Sequence, residues 1–136
     1  MLCWSGPVAI RRSVVIFLGV ILVSGCSGYK PCNPTLVAET VEITANPPSA
    51  CMVDGCTLAP GFNFTACCNT HDVRYWAGGT YDERKTADLE FRQCIVDADH
   101  NVLAKLYYYS VRLAGTPFLP TPWRWGFGWE YPRGYK

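Results

Sequence analysis

The chain carries almost no net charge, and that absence is the first constraint on what it does. Twelve Lys and Arg residues stand against eleven Asp and Glu, a formal net charge of +1. No strong electrostatic bias toward nucleic acid follows from such a balance. Charged residues are scarce altogether, at 17%, which is modest for a small soluble domain. The apolar run Val14 to Val23 falls short of the roughly 20 residues a membrane-spanning helix needs. No internal repeat is visible. At 136 residues the chain has room for one small domain and not two. What it has in quantity is aromatic residues, 14% of the chain and concentrated near the C-terminus, and eight cysteines.

The N-terminus reads as a targeting segment. Arg11 and Arg12 precede the apolar run, which ends in small residues at a cysteine. Val23-Ser24-Gly25-Cys26 resembles a bacterial lipobox. The resemblance implies a signal peptide over 1–25, cleavage before Cys26 and acylation of its sulfur; an ordinary signal peptide cut nearby is the alternative. Acyl chains would hold the protein on a membrane without a spanning helix. Ser27, where some lipoproteins carry Asp, favours the outer membrane by resemblance to bacterial sorting rules. Cysteine arithmetic agrees with export. Cys3 leaves with the signal peptide and Cys26 is acylated. An even six then remain for an oxidising compartment: Cys32, Cys51, Cys56, Cys67, Cys68 and Cys94.

Residues 26–50 read as a tether, broken by Pro31, Pro34 and Pro47-Pro48, with a weak strand signal from Leu36 to Thr44. A Gly/Pro loop runs from Cys51 to Phe64. Thr65 is positioned to cap a helix to about Trp76, closed by Gly78-Gly79. A second helix is expected from Thr80 or Asp82 to about Ala98, with Ala87, Phe91, Cys94, Ile95 and Ala98 at three-four spacing. A third spans Val102 to Ala114 and stops at Gly115-Thr116-Pro117. Asp97-Ala98-Asp99-His100 reads as a solvated helix end. Residues 116–136 form an aromatic extension. Its rings either pack across the domain or seat at the lipid headgroup level beside Arg124, Arg133 and Lys136.

The chemistry concentrates in Cys67-Cys68-Asn69-Thr70-His71-Asp72-Val73-Arg74-Tyr75. Adjacent cysteines do not easily bridge each other, so each reaches a different part of the chain and staples the segment on two sides. Cys68, His71 and Tyr75 share one helical stripe, while Asp72 is turned about 100° away. On the second helix Asp88 shares a stripe with Phe91 and Ile95. A carboxylate among apolar residues needs donors, and an imidazole N–H from the facing helix with a tyrosine hydroxyl would supply them. Such a pairing fixes the imidazole tautomer and leaves the other nitrogen free as a base. Asp72 needs a counter-charge of its own. Asp54 and the carbonyls of the Gly55 loop offer a hard, oxygen-rich site suited to Ca²⁺.

Taken together these residues resemble the secreted phospholipase A2 family. Cys-Cys-x-x-His-Asp-x-x-Tyr is that family's catalytic helix pattern. The small prokaryotic branch is nearest: there too an Asp-x-Cys-Thr-x-Ala-Pro loop, here Asp54 to Pro60, leads through Phe62 and Phe64 into the His-Asp helix. Asp88 three residues before Phe91 and the stretch Tyr107-Tyr108-x-x-Val111-Arg112-Leu113-x-Gly115 complete the match over about 51–115. The resemblance implies a mostly α fold of two antiparallel disulfide-linked helices, a calcium loop and a further helix. It implies a Ca²⁺-dependent esterase of the sn-2 position working at a phospholipid membrane surface, with no nucleic acid and no inferable protein partner. His71 would be the base, Asp88 its orienting acid and Tyr75 a donor to Asp88. Asp72, Asp54 and the Gly55 carbonyl would bind Ca²⁺. Family-like bridges would be Cys56–Cys68 and Cys67–Cys94, leaving Cys32–Cys51 by subtraction. The chain departs from the family in three ways. The Gly-rich animal-type calcium loop is absent, Arg74 stands where animal members carry another cysteine, and the prokaryotic branch lacks the double cysteine. A non-catalytic lipid- or partner-binding protein on the same fold is the alternative.

Overall fold

A computed structural model describes residues 28–41 and 47–136. The expected signal segment, Cys26, and residues 42–44 of the expected strand lie outside the described residues. The fold is mostly helical and carries three disulfides. In chain order the elements are β1 (Lys30–Pro31), α1 (Pro34–Thr40), β2 (Met52–Val53), α2 (Thr65–Ala77), α3 (Tyr81–Asp97) and α4 (Asn101–Ala114), with a 3₁₀ turn at Phe62–Phe64 leading into α2. Among the described residues no helix is long and apolar enough to cross a membrane.

The expected strand over 36–44 is a helix where it is described. Asn33 caps it, its side chain accepting from the Thr35 amide, and Pro34 occupies the first turn, where a missing N–H costs nothing. Leu36, Val37 and Thr40 are then drawn to one side, and α1 packs against α2. β-branched residues gave the strand signal; local capping overrode it. Nor does Thr65 cap α2: it is the first helical residue, and the preceding 3₁₀ turn makes the entry without a side-chain cap. Thr80 caps α3 with a reciprocal capping box to Glu83.

Three bridges hold this small core: Cys32–Cys51, Cys56–Cys68 and Cys67–Cys94. Cys67 sits near the start of α2 and Cys94 near the end of α3, while Gly78 to Thr80 join the other ends, so the two helices run antiparallel. Arg74 donates to Glu90 across the same pair of helices. A first core cluster gathers Phe64, Phe91, Ile95 and Ala104 around Cys56, Cys67 and Cys68. A second joins Tyr75 and Ala87 to Trp125 of the C-terminal extension. The extension therefore packs across the domain. Trp125 is buried and its indole donates to the Gly79 carbonyl. Arg124, also buried, donates to the Trp129 and Arg133 carbonyls. Gly78, in the left-handed region at φ 65°, ends α2 so close to the extension that a Cβ there would meet the Gly126 Cα at 2.9 Å.

Candidate active site

α2 and α3 present His71, Tyr75 and Asp88 to one another at the buried seam between them. His71 Nε2 lies 2.9 Å from Asp88 Oδ1, and the Tyr75 hydroxyl donates to the same oxygen at 2.8 Å. The other carboxylate oxygen accepts from Arg112 Nη1 at 2.7 Å, with Arg84 Nε 3.8 Å away. Asp88 is fully buried, and these donors supply what such burial requires. Arg84, itself buried, donates through Nε to the Tyr75 hydroxyl. Its remaining nitrogens reach the Val111 and Arg112 carbonyls at the end of α4 and the Tyr135 hydroxyl in the extension. One guanidinium thus ties α3, the last turn of α4 and the chain's C-terminal end to the acid that faces His71.

The electrostatics follow from these contacts. Burial alone would raise the Asp88 carboxyl; hydrogen bonding to His71, then Arg112 and Tyr75, outweighs it and holds the group below the usual carboxylate range. Burial lowers His71 against the pull of Asp88, so the ring is neutral near pH 7. Burial and then Asp88 raise Tyr75, which stays a donor. With Asp88 as acceptor, Nε2 carries the proton and Nδ1 is the basic nitrogen. The ring is held between Phe91 and Tyr75, at centroid distances of 4.4 and 4.2 Å. Gly115 closes the site from α4, where a Cβ would come within 2.7 Å of the Tyr75 hydroxyl.

His71 opens onto a cavity of about 330 Å³ whose lining is mostly apolar. Tyr75, Asp72 and the Gly55–Ala59 loop line one part, Phe91, Leu106, Tyr107 and Val111 another, and Trp123 and Phe127 of the extension a third. Tyr107 fixes α4 to the loop by donating to the Pro60 carbonyl. An apolar chamber with one base and one acid at its wall suits a ligand with a hydrocarbon portion.

Asp72 is placed differently from Asp88. Its Oδ2 accepts only the Asp54 amide, at 3.2 Å, while Asp54 Oδ1 accepts from the Thr57 hydroxyl at 2.7 Å. Among the described residues neither carboxylate forms an ion pair with Lys, Arg or His. Burial and the neighbouring Asp54 push Asp72 up to about 8, and burial raises Asp54 as well. Among the described residues no three His, Cys, Asp or Glu side chains gather as a metal site. The donor set is therefore two neighbouring carboxylates and the carbonyls of a loop turned by Gly55 at φ 75°. All of these are oxygen, and among the described residues no cationic side chain pairs with either carboxylate. That chemistry fits a hard divalent cation completed by backbone carbonyls and water.

The structure thus brings His71, Asp88 and Tyr75 into direct contact and sets Asp72 beside Asp54, with Gly55 and Asp72 on the cavity wall. Asp54 reaches the site through its amide and is not on that wall. Sequence reasoning did not give roles to Arg84, Arg112, Trp123 or Phe127. Arg84 precedes Asp88 by four residues, a spacing that signals a same-face pair on a helix. Trp123 and Phe127 carry no such signal. His100 pairs with Asn63, away from the cavity. The chain matches no protein-family model, no curated protein and no solved structure.

Proposed function

We propose that this chain is a Ca²⁺-dependent phospholipase A2 that hydrolyses the sn-2 ester of membrane phospholipids. On the N-terminal reading it is held at the bacterial outer membrane by lipid on Cys26. The observation that carries the proposal is the buried Asp88–His71 pair opening onto an apolar cavity that also holds Asp72. In this reading Nδ1 of His71 takes a proton from water as the water attacks the ester carbonyl. Asp88 keeps the tautomer and stabilises the imidazolium, and Tyr75 and Arg112 keep Asp88 ionised and in place. The imidazolium then returns its proton to the departing lysophospholipid oxygen. In this reading no acyl-enzyme forms: among the described residues no hydroxyl or thiol hydrogen-bonds His71, Ser110 on the cavity wall donates to the Leu106 carbonyl, and the cysteines nearby are bridged. Asp72, Asp54 and the Gly55 carbonyl would hold Ca²⁺. Bound there, the ion would supply a Lewis acid for the ester carbonyl and its developing oxyanion. Phe91, Leu106 and the two extension aromatics exclude bulk water and receive the acyl chain.

The test is fatty acid release from phospholipid vesicles in the presence of Ca²⁺. Release is expected to stop on chelation with EGTA and to fall about 10²–10⁴-fold in His71→Asn. Release that survives either change overturns the mechanism. Ca²⁺-dependent vesicle binding without any release would favour a non-catalytic lipid-binding protein on this fold.

A further inference from the structure

Besides the Asp72 carboxyl, six side chains on the cavity wall carry a hydrogen-bond donor: Thr57, His71, Tyr75, Tyr107, Ser110 and Trp123. Five are engaged inside the protein. The Thr57 hydroxyl donates to Asp54, and His71 Nε2 and the Tyr75 hydroxyl to Asp88. The Tyr107 hydroxyl donates to the Pro60 carbonyl and the Ser110 hydroxyl to the Leu106 carbonyl. Trp123 is the exception: among the described residues its indole N–H has no acceptor. The other tryptophans of the described chain all have one. Trp76 donates to the Ser49 carbonyl, Trp125 to that of Gly79 and Trp129 to that of Ala77. An indole N–H can only donate, so what meets Trp123 must bring an acceptor.

The backbone around this half-buried ring is fixed. Trp123 lies inside the turn that the Arg124 amide closes on the Thr121 carbonyl, next to the buried Arg124 and Trp125. The amides of Trp125 and Gly126 donate to the carbonyls of Gly115, just past α4, and of Tyr75 in α2. The extension is thereby tied to both helices whose residues line the cavity beside His71. The apolar face of Trp123 closes the chamber, while its N–H edge is left for a ligand. The wall holds no Lys or Arg, and Arg112 is engaged by Asp88. In the phospholipase reading, on which this inference rests, Asp72 and the Gly55 loop serve the ester carbonyl. The phosphodiester of the same lipid is then the acceptor that no other side chain of the wall meets.

We propose that Trp123 binds the substrate phosphodiester through its indole N–H and so selects phosphate-bearing diesters over neutral ones. Trp123→Phe keeps an aromatic ring on the wall and removes the donor. On monomeric dihexanoyl phosphatidylcholine its kcat/KM is expected to fall roughly tenfold or more. The fall should come through KM, because the contact is made before the transition state. On dihexanoylglycerol, which lacks the phosphate, variant and wild type should agree within about twofold. No loss on the phospholipid overturns the proposal. So does an equal loss on both substrates, or a loss confined to kcat, either of which would put the N–H at the reacting carbonyl. A second arm does not depend on turnover. The full chain, isotope-labelled at its tryptophans, is titrated in Ca²⁺ with a dihexyl ether phosphocholine and with the matching diether glycerol. The Trp123 indole proton should move downfield with the phosphocholine alone, while those of Trp76, Trp125 and Trp129 stay in place. A Trp123 signal that does not move, or moves alike with both, overturns the proposal. If the wild-type chain releases fatty acid from neither ester, the phospholipase reading fails, and the indole titration alone decides whether Trp123 meets a phosphodiester.

Discussion

Asp72 and Asp88 are two aspartates of one site, on facing helices, and the fold treats them in opposite ways. Asp88 is wholly buried and accepts from His71, Tyr75 and Arg112, with Arg84 close by. Asp72 is only half-buried by solvent exposure and has one amide and a second carboxylate for company. The protein completes the first acid and leaves the second incomplete. A buried carboxylate with partners is a finished structural element. A partly buried carboxylate beside another is where the proposed Ca²⁺ would sit. The comparison separates the part of the site that folding completes from the part that the proposal assigns to a bound ion.

The largest effect expected from this contrast is at Asp88. Asp88→Asn keeps the shape and removes the charge, leaving Arg112 and the buried Arg84 without their anion. Unfolding in denaturant should show a loss of about 3–5 kcal/mol. Residual activity should fall on the order of 10²–10⁴-fold, because the amide no longer fixes the His71 tautomer. Asp72→Asn should do the opposite in metal-free buffer above pH 8, where Asp72 is ionised and removing one of two neighbouring charges leaves stability equal or higher. Its signature is the loss of calcium stabilisation. Wild type should gain about 2.7 kcal/mol at calcium a hundredfold above its Kd, and Asp72→Asn nothing. If the two variants behave alike, the contrast between the acids is wrong.

Opposite environments also give opposite pH slopes. The folded pKa of His71 is lowered from 6.5 and that of Asp88 from 3.8. Each contributes stability that is present above its unfolded value and lost as pH falls, beginning below about 6.5 for His71 and below about 3.8 for Asp88. Asp72 is raised from 3.8 to about 8, so its contribution is fully present below about 3.8 and is lost progressively as pH climbs from there to 8. Just below pH 6.5 it opposes His71; above 6.5 it acts without that opposition, so melting temperatures in EDTA should fall from pH 6.5 to 8. Calcium should flatten that fall, because a cation at Asp72 removes the penalty on its charge. A calcium effect of the same size at pH 5 and pH 8 would count against this assignment.

The same contrast explains what was legible in the sequence. The Cys68-His71-Tyr75 stripe, the Asp88 partner and the helix ends at Gly78 and Gly115 follow from local spacing and punctuation, and the structure has α2, α3 and α4 close to where those signals put them. Cys56–Cys68 and Cys67–Cys94 follow the pattern the family resemblance implies, and Cys32–Cys51 is the pair left by subtraction. What could not be read is tertiary. Arg112 reaches Asp88 from 24 residues away, and Tyr135 reaches Arg84 from 51. Trp123 and Phe127 enter the cavity wall only because the extension folds back over α2 and α3. The helix at Pro34–Thr40 was hidden by its β-branched residues, whose strand signal is weaker than a capped start with proline in the first turn.

The smallest expected effect tests whether the extension belongs to the completed half of the site or merely covers it. Tyr135 accepts from Arg84 Nη1 at 2.9 Å, and its ring packs edge-on against Tyr81 and Phe118. Tyr135→Phe keeps the ring contacts and removes one hydrogen bond to a guanidinium that still reaches Tyr75 and the α4 carbonyls. Water reaches the part-buried vacancy, so the loss should be about 1 kcal/mol in unfolding free energy. Asp88 keeps His71, Tyr75 and Arg112 as direct partners, so kcat should stay within about twofold of wild type. A tenfold fall in kcat with an unchanged melting temperature would reverse that assignment. Tyr135 would then tune Asp88 through Arg84, and the C-terminal end of the chain would join the network that sets the basicity of His71.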